Sequence, residues 1–594
     1  MSYWKKIHTF AAERRQGRGH RGNSNMLDGF RPVSTLYVIC YFTNKQMKHF
    51  LYILLVFFGA IIANAQVSPT LPWDDTPRPK HEVRAVWLTV VMGLDWPLTT
   101  NQQQQQRDLR HTLDQLQQAG INTVLVQARV RATTIYPSQL EPWEGGFSGT
   151  PGKAPSYDPL QFCIDECHRR GMECHAWVVT MPIGKWNKIG AQQLRKKRPE
   201  LLKRIGDEAF MNPEHPQTAA YLANVCREIV RNYDVDGIHL DYIRYPDQWK
   251  IRVPRAQGRS NITAIVRAIH NAVKQEKPWV KMSCSPVGKH DDLTRYRSGG
   301  WNARTAVCQD AQEWLRTGLM DQLYPMMYFQ GDNFYPFAVD WQEKSYGRTV
   351  VPGLGIYLLD PREGKWTLDM VEREMSVVRQ LGMGHCYFRS KFFTDNVKGV
   401  YDLGKRFDDT PALIPPMTWE GKPAPTAPTQ LAIDGNRLSW SGAEDRSGAP
   451  YLLYNVYASQ DYPVDISRAE NLVATRRTET SLLVPATGLN YAVTAMDRYG
   501  QESPAAQLLL NAGPQYASSL IAKSDGRPIA LPDKGQTLDA DFVIVETLSG
   551  QPAGVFPYTD KLDVTALPDG VYQLRSLGRK GRNHRIGFFS KKTP

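Results

Sequence analysis

Nothing in this 594-residue sequence stays apolar for the roughly 18 residues that a helix needs to cross a bilayer. The longest apolar run, Phe50 to Ile62, stops short of that length, so no stable membrane span is expected. A Gly-rich dinucleotide fingerprint and a phosphate loop are also missing, which removes the usual support for a nucleotide-binding sheet. The eight cysteines include no CxxC pair and no Cys/His spacing of the zinc type, so no metal and no cofactor are expected. With Cys40 set aside seven remain, an odd number for an exported chain. Cys163, Cys167, Cys174, Cys226, Cys284 and Cys386 sit inside apolar patterns, as buried thiols acting as small hydrophobes do. The formal charge of +13 is concentrated at the ends: Met1 to Gln46 hold eight Lys/Arg against two Asp/Glu, and seven basic residues fall in the last twenty positions. The middle of the chain is near neutral, so a nucleic-acid groove is not expected.

What is present begins with "MKHFLYILLVFFGAIIANAQ". Met47, two basic residues, the apolar run and the small-x-small end Ala63-Asn64-Ala65 read as a signal peptide cleaved before Gln66. On that reading Met47 is the true start, residues 1–46 are translated upstream sequence, and the mature protein is exported to the periplasm, the cell envelope or the medium. A retained signal anchor is the alternative. No Cys follows the cleavage site, so a bacterial lipoprotein anchor is unsupported.

The length predicts two to four domains. From about residue 80 to 408, short apolar runs alternate with helical patterns. The strand candidates are "VRAVWLTV" (83–90), "TVLVQARV" (123–130), "MECHAWVV" (172–179), "DGIHLDYI" (236–243), "KMSCSPVG" (281–288), "QLYPMMYF" (322–329), "VPGLGIYL" (351–358) and "GHCYFRS" (384–390). Between them, Leu109, Leu113 and Leu116 form a helical stripe ending at Gly120, and Leu222, Val225, Cys226, Ile229 and Val230 form another. Eight repeats of strand then helix predict an α/β fold, a (β/α)8 TIM barrel, with a doubly wound open sheet as the alternative. A Pro-rich linker (409–428) follows. Residues 429–512 carry alternating runs that resemble a fibronectin type III β-sandwich, "YAVTAMDRYGQES" most of all. Residues 513–594 read as a second small β-rich module, whose "LPDGVYQLRS" resembles the end of C-terminal sorting modules of some bacterial secretion systems.

In such a barrel the site forms at the C-terminal ends of the strands. "DVDGIHLDYIRYP" places polarity there: His239 and Asp241 share one strand face, followed by Tyr242, Arg244 and Tyr245. A structural Asp241–Arg244 pair is the alternative reading. Gln127 and Arg129 close the second strand, with Glu141 and Trp143 in the loop beyond; His175 and Trp177 share a face of the third; Tyr328 and Asp332 follow the sixth. Arg84 and Trp87 in the first strand join this set of candidate substrate-binding residues. Carboxylates, guanidinium groups and flat rings together suit a sugar polymer, and 15 Trp with 27 Tyr fit the same use.

The segments "EVRAVWLT", "GLDWP", "GINTVLVQARVRATTIYPSQLEPW", "YDPLQFCIDECHRRGMECHAWV" and "NPEHPQTAAYLANVCREIVRNYDVDGIHLDYIRYP" together resemble the glycosyl hydrolase-like 10 family. "VKMSCSPVG", "DQLYPMMYF" and "VPGLGIY" extend the likeness through the second half of the barrel. The resemblance implies a TIM-barrel glycosidase, one branch of which is associated with peptidoglycan glycan strands stripped of their peptides. It also implies that Asp241 is the central catalytic carboxylate, with Arg129, His175 and Glu141 at matching motif positions of the cleft.

Better-understood barrels differ from this pattern. Amylase-type enzymes carry an acid Glu at the end of the fifth strand, where this chain has Ser283-Cys284-Ser285-Pro286. Chitinase-type enzymes read DGxDxDxE on the fourth; here His239 replaces the first inner Asp and Ile243 stands where the acid would be. A second carboxylate is still needed for hydrolysis, and Glu141 is preferred for it over Asp332. The expectation is therefore an exported hydrolase of an amino-sugar polysaccharide, denuded peptidoglycan first. A hydrolase of a dietary or capsular polysaccharide and a non-catalytic carbohydrate-binding surface protein are the alternatives.

Overall fold

The computed structural model describes residues 78–484, 489–508, 520–531, 541–547, 552–577 and 583–592. The upstream extension and the leader, 1–46 and 47–65, lie outside the described residues, as do parts of the last module. Among the described residues no helix is long and apolar enough to cross a membrane.

The strands β1 (Arg84–Leu88), β2 (Thr123–Arg129), β3 (Glu173–Val179), β4 (Gly237–Asp241), β5 (Lys281–Cys284), β6 (Gln322–Leu323), β7 (Thr349–Val350, resumed at Gly353–Leu354) and β8 (His385–Tyr387) pair in parallel, each with the next. β8 returns to β1 with Arg84 opposite His385, which closes the ring. Each strand is followed by a helix: α1 (Gln102–Gln118), α2 (Pro159–Arg169), α3 (Pro216–Asn232), α4 (Arg255–Glu276), α5 (Ala311–Arg316), α6 (Tyr335–Glu343), α7 (Leu368–Gln380) and α8 (Val400–Phe407). This is the expected (β/α)8 barrel. The strands could be read from sequence because both faces are covered: residues of β1 to β5 are buried without exception, so they show as apolar runs rather than alternation.

The helices start and stop on local chemistry. Asn101 caps α1 by accepting from the Gln104 N–H at 3.0 Å, and Leu109, Leu113 and Leu116 are its buried stripe. Asp158 caps α2 from just before Pro159. Gly120 ends the α1 segment at φ +75°, and a Cβ there would come 2.6 Å from the Asp408 carbonyl oxygen. An antiparallel three-stranded excursion (Pro182–Lys185, Leu202–Ile205, Glu208–Met211) rises between β3 and α3, a feature the sequence reading did not contain. At the α2–β3 junction one helical turn brings Cys163 and Cys167 together, and Cys174 joins them, the three sulfurs within 4.8 Å of one another.

One buried group on α7 works against the fold. Glu374 is 1% exposed and its Oε2 has no partner, so desolvation pushes its carboxyl up to about 9. Between the unfolded value near 4.5 and about 9, the folded chain holds a proton that the unfolded chain has released, so stability falls as pH rises through that window. Glu374→Gln is expected to raise stability at pH 8 by up to roughly 5 kcal/mol and to change little near pH 4. Melting curves at the two pH values check it; an equal gain at both would mean that the ionisation is not responsible.

Two networks seal the N-terminal mouth of the barrel. In the first, Arg84 Nε donates to Glu82 (2.6 Å), Arg379 bridges Glu82 (2.6 Å) and Asp408, and His385 Nε2 pairs with Asp408 (3.1 Å). The second is built around Glu173 and Asp236. Lys281 Nζ donates to Glu173 at 2.7 Å, His175 Nε2 pairs with Glu173 at 3.0 Å, and His168 Nε2 pairs with Asp236 at 2.8 Å.

The second network is completed from outside the barrel. Seven strands, β9 (Thr429–Asp434), β10 (Arg437–Ser441), β11 (Leu453–Ser459), β12 (Leu472–Arg477), β13 (Ser481–Leu483), β14 (Asn490–Met496) and β15 (Ala506–Leu508), form sheets of three and four around Trp440, Tyr454, Val456 and Tyr491. Arg476 of this sandwich enters the barrel floor to bind Glu173 (3.0 Å) and Asp236 (2.7 Å), and Arg498 binds Asp236 (3.1 Å) and Asp234 (2.8 Å). The Pro-rich segment is packed as well. Leu413 exchanges backbone hydrogen bonds with Lys80 and Glu82, Met417 is fully buried, and Trp419 Nε1 donates to Asp321 at 3.0 Å. A final module carries a five-stranded sheet with its own core of Val543, Val545, Leu574 and Phe589.

Candidate active site

β4 decides where the site lies. Alternation turns Ile238 and Leu240 toward the helices and His239 and Asp241 into the barrel, and Asp241 is the last residue of the strand, at the C-terminal mouth. Its carboxylate is held from three sides. Oδ1 accepts from Ser285 Oγ (2.8 Å) and from the Tyr242 N–H (2.8 Å), and Oδ2 accepts from Trp177 Nε1 (3.1 Å). Burial dominates its electrostatics and raises its proton affinity above that of an ordinary carboxylate, against the opposing pull of Ser285, Arg244 and the other donors. Tyr242 takes the left-handed conformation (φ +54°) that aims its N–H back at Asp241, a conformation rare for a bulky residue and typical of functional turns.

Arg244 does not bond Asp241. Its Nη1 donates to Asp247 at 2.6 Å, and the guanidinium lies 4.8 Å from the Tyr242 ring and 5.1 Å from the Trp301 ring. Tyr328 stands on the β6 side with a buried hydroxyl that has no partner; burial and then neighbouring charges, Asp241 among them, push that phenol well up. Asp332 is exposed on the short turn Gly331–Asn333 after β6. Trp143 is half-buried in the loop after β2.

Several predicted residues sit elsewhere: alternation along a strand does not tell top from bottom, and Arg84 lies on the opposite face of β1 from the barrel-facing Trp87. Arg84, the first residue of β1, belongs to the N-terminal network and is fully buried. His175 hangs from Glu173 on the same barrel floor. His239 and Trp87 form an interior layer beneath Asp241: Trp87 Nε1 donates to His239 Nε2 (3.2 Å), the other ring nitrogen pairs with Ser283 (3.0 Å), and neither ring is open to the mouth. Burial keeps His239 well below the usual histidine range, so the ring is neutral. Tyr245 is fully buried against Trp249, with its hydroxyl on Asn261 and Glu214.

Three others shape the mouth without facing it. Gln127 Oε1 accepts from the Val90 and Val91 N–H groups and fixes the loop after β1. Arg129 and Glu141 form a bidentate pair (2.7 and 2.6 Å), Arg129 also donates to the carbonyls of Val179 and Thr180, and Tyr221 donates to Glu141 at 2.9 Å. Both Glu141 oxygens are thus engaged in a clamp that ties the ends of β2 and β3 together.

Sequence reasoning missed Ser285, Arg131 and Trp301. Ser285 was visible only as the absence of a fifth-strand acid, yet its hydroxyl is a direct donor to Asp241. Arg131 takes φ +56° just past β2; burial lowers its proton affinity, and the nearby Tyr242 and Glu144 oppose that shift, which places a cation near the residue that follows Asp241. Among the described residues, the groups that could hold a metal are the three cysteines at the α2–β3 junction and Glu82, His385 and Asp408; the latter are already neutralised by Arg84 and Arg379. Neither lies at the C-terminal mouth.

The fold is a closed (β/α)8 barrel with a buried, hydrogen-bonded Asp at the end of its fourth strand. Residues 82–254 and 252–358 match the glycosyl hydrolase-like 10 family, and the chain belongs to that family. It is 28% identical over 506 residues to Glycosyl hydrolase YngK of Bacillus subtilis (strain 168), covering 74% of this chain and 95% of that one. It is 30% identical over 299 residues to Glycosyl hydrolase DigH of Escherichia coli (strain K12), covering 43% and 68%. Among solved structures, the PgaB (BpsB) glycoside hydrolase domain from Bordetella bronchiseptica aligns with 55% of this chain and 99% of its own at 13% identity, with a TM-score of 0.38.

Proposed function

We propose that this protein is an exported glycoside hydrolase acting on an amino-sugar polysaccharide, peptide-free peptidoglycan strands above all, with Asp241 as its central catalytic carboxylate. The observation that carries the reading is the state of Asp241: at the barrel mouth, three donors on its oxygens, and a raised proton affinity. A carboxyl whose proton affinity is raised is suited to deliver a proton to the leaving glycosidic oxygen, the general-acid role that such hydrolysis needs. With Glu141 locked by Arg129 and Tyr221, Asp332 becomes the preferred partner, exposed on the loop after β6 where a bound chain or its attacking water would pass.

The hydrolase reading is supported by the family and by relatives named as glycosyl hydrolases, and export by the leader-like segment from Met47 to Ala65. Arg131, near Tyr242 of the candidate site, suits a polymer whose sugars carry acidic groups. The test is turnover by the chain from Gln66 onward on three substrates: denuded glycan strands, intact sacculi and neutral glucans. New reducing ends from denuded strands are expected. Release from neutral glucans alone would assign a different polysaccharide, and tight binding without release would make the barrel a carbohydrate-binding protein.

A further inference from the structure

We propose that Trp301, on the loop after β5, is a sugar-stacking platform of the same site, so that the bound polymer runs past Asp241 toward the β5 side; this rests on the function proposed above. Tryptophan is costly to leave in water, and here Trp87, Trp96, Trp177, Trp249, Trp314, Trp341, Trp366 and Trp440 are all buried. Trp301 is 47% exposed. Its place is not incidental, because the Arg244 guanidinium lies 5.1 Å from its ring and 4.8 Å from that of Tyr242, the residue next to Asp241. The two ring centroids are therefore within about 10 Å of each other.

The platform is also held still. Asn302, 2% exposed, accepts from the Thr305 N–H (2.8 Å), and the Ala303 N–H donates to the Lys289 carbonyl (2.8 Å), so the chain is pinned immediately after the tryptophan. A rigid ring, backed by a cation and otherwise open, offers the apolar face of a pyranose a surface to stack on at little entropic cost. No ionisable group of Trp301 takes part, so its contribution belongs to binding and grows with the length of chain that can reach it.

The test compares Trp301→Ala, Trp301→Phe and the native protein on long denuded strands and on oligosaccharides too short to span the mouth. Trp301→Ala is expected to raise KM on long strands about tenfold while kcat changes less than threefold, with little change on short substrates and with most of the effect recovered by Trp301→Phe. Equal KM on long strands, or a matched loss of kcat and melting temperature on both substrates, would overturn the platform. Should the native protein release no reducing ends, the hydrolase reading falls by itself. Binding of long strands to Asp241→Asn protein, with and without Trp301→Ala, then decides the platform: a tenfold weaker Kd supports it, and equal Kd values reject it.

Discussion

Asp241→Asn is expected to lower kcat by about 10²- to 10⁴-fold while KM stays within a few-fold of the native value. Asn has nearly the same volume, and its amide oxygen can keep one of the Ser285, Tyr242 and Trp177 hydrogen bonds, so the melting temperature should move by only a few degrees. What it loses is the ionisable carboxyl, which can both deliver a proton and carry negative charge, and an amide can do neither. A structural role predicts the reverse, a large fall in melting temperature with near-native turnover in the folded fraction, and that pair of results would remove Asp241 from the mechanism. The earlier structural alternative required a bond to Arg244, and Arg244 is bonded to Asp247 instead. Parallel measurements on Asp332→Asn and Glu141→Gln separate the partner from the clamp. Asp332→Asn should lose rate at constant stability, and Glu141→Gln should lose stability.

The second large effect is expected at the joint between barrel and sandwich. Arg498 is 1% exposed in its side chain and Arg476 is 9% exposed; together they neutralise Glu173 and Asp236 under the barrel. Burial alone would raise both carboxyls, but Lys281 and Arg476 bring Glu173 down to about 2, and His168, Arg476 and Arg498 hold Asp236 well below the usual range. Removing one partner of such a network leaves a charge buried and unpaired, so Arg498→Ala should cost about 3–5 kcal/mol. Because both carboxyls are depressed, the stabilisation is present above the unfolded carboxylate range and is lost as pH falls toward 2. A chain ended at Trp419 loses both arginines and should be insoluble or unfolded. Recovery of a soluble chain of that length with native melting would show that the sandwich is dispensable. The Pro-rich composition alone suggests a free spacer and an independent barrel; the packing of Leu413, Met417 and Trp419 is what argues for one cooperative unit.

The amino-acid order by itself determined the eight strands, their helices and the position of Asp241. Those features depend on local rules: buried parallel strands read as apolar runs, helices as stripes with caps, and a barrel site as polarity gathered at strand ends. Only the tertiary structure decided which polar strand residues face the mouth. His175 carries the same alternating signature as Trp177 but lies at the opposite end of the barrel, where it hydrogen-bonds Glu173. Only it, too, paired Glu141 with Arg129 and brought Arg476 to Glu173 across 303 positions of sequence. The physical reason is that an ionised group in a low-dielectric interior takes its partner from whatever the closed fold brings within hydrogen-bonding distance, and sequence spacing carries no record of that distance.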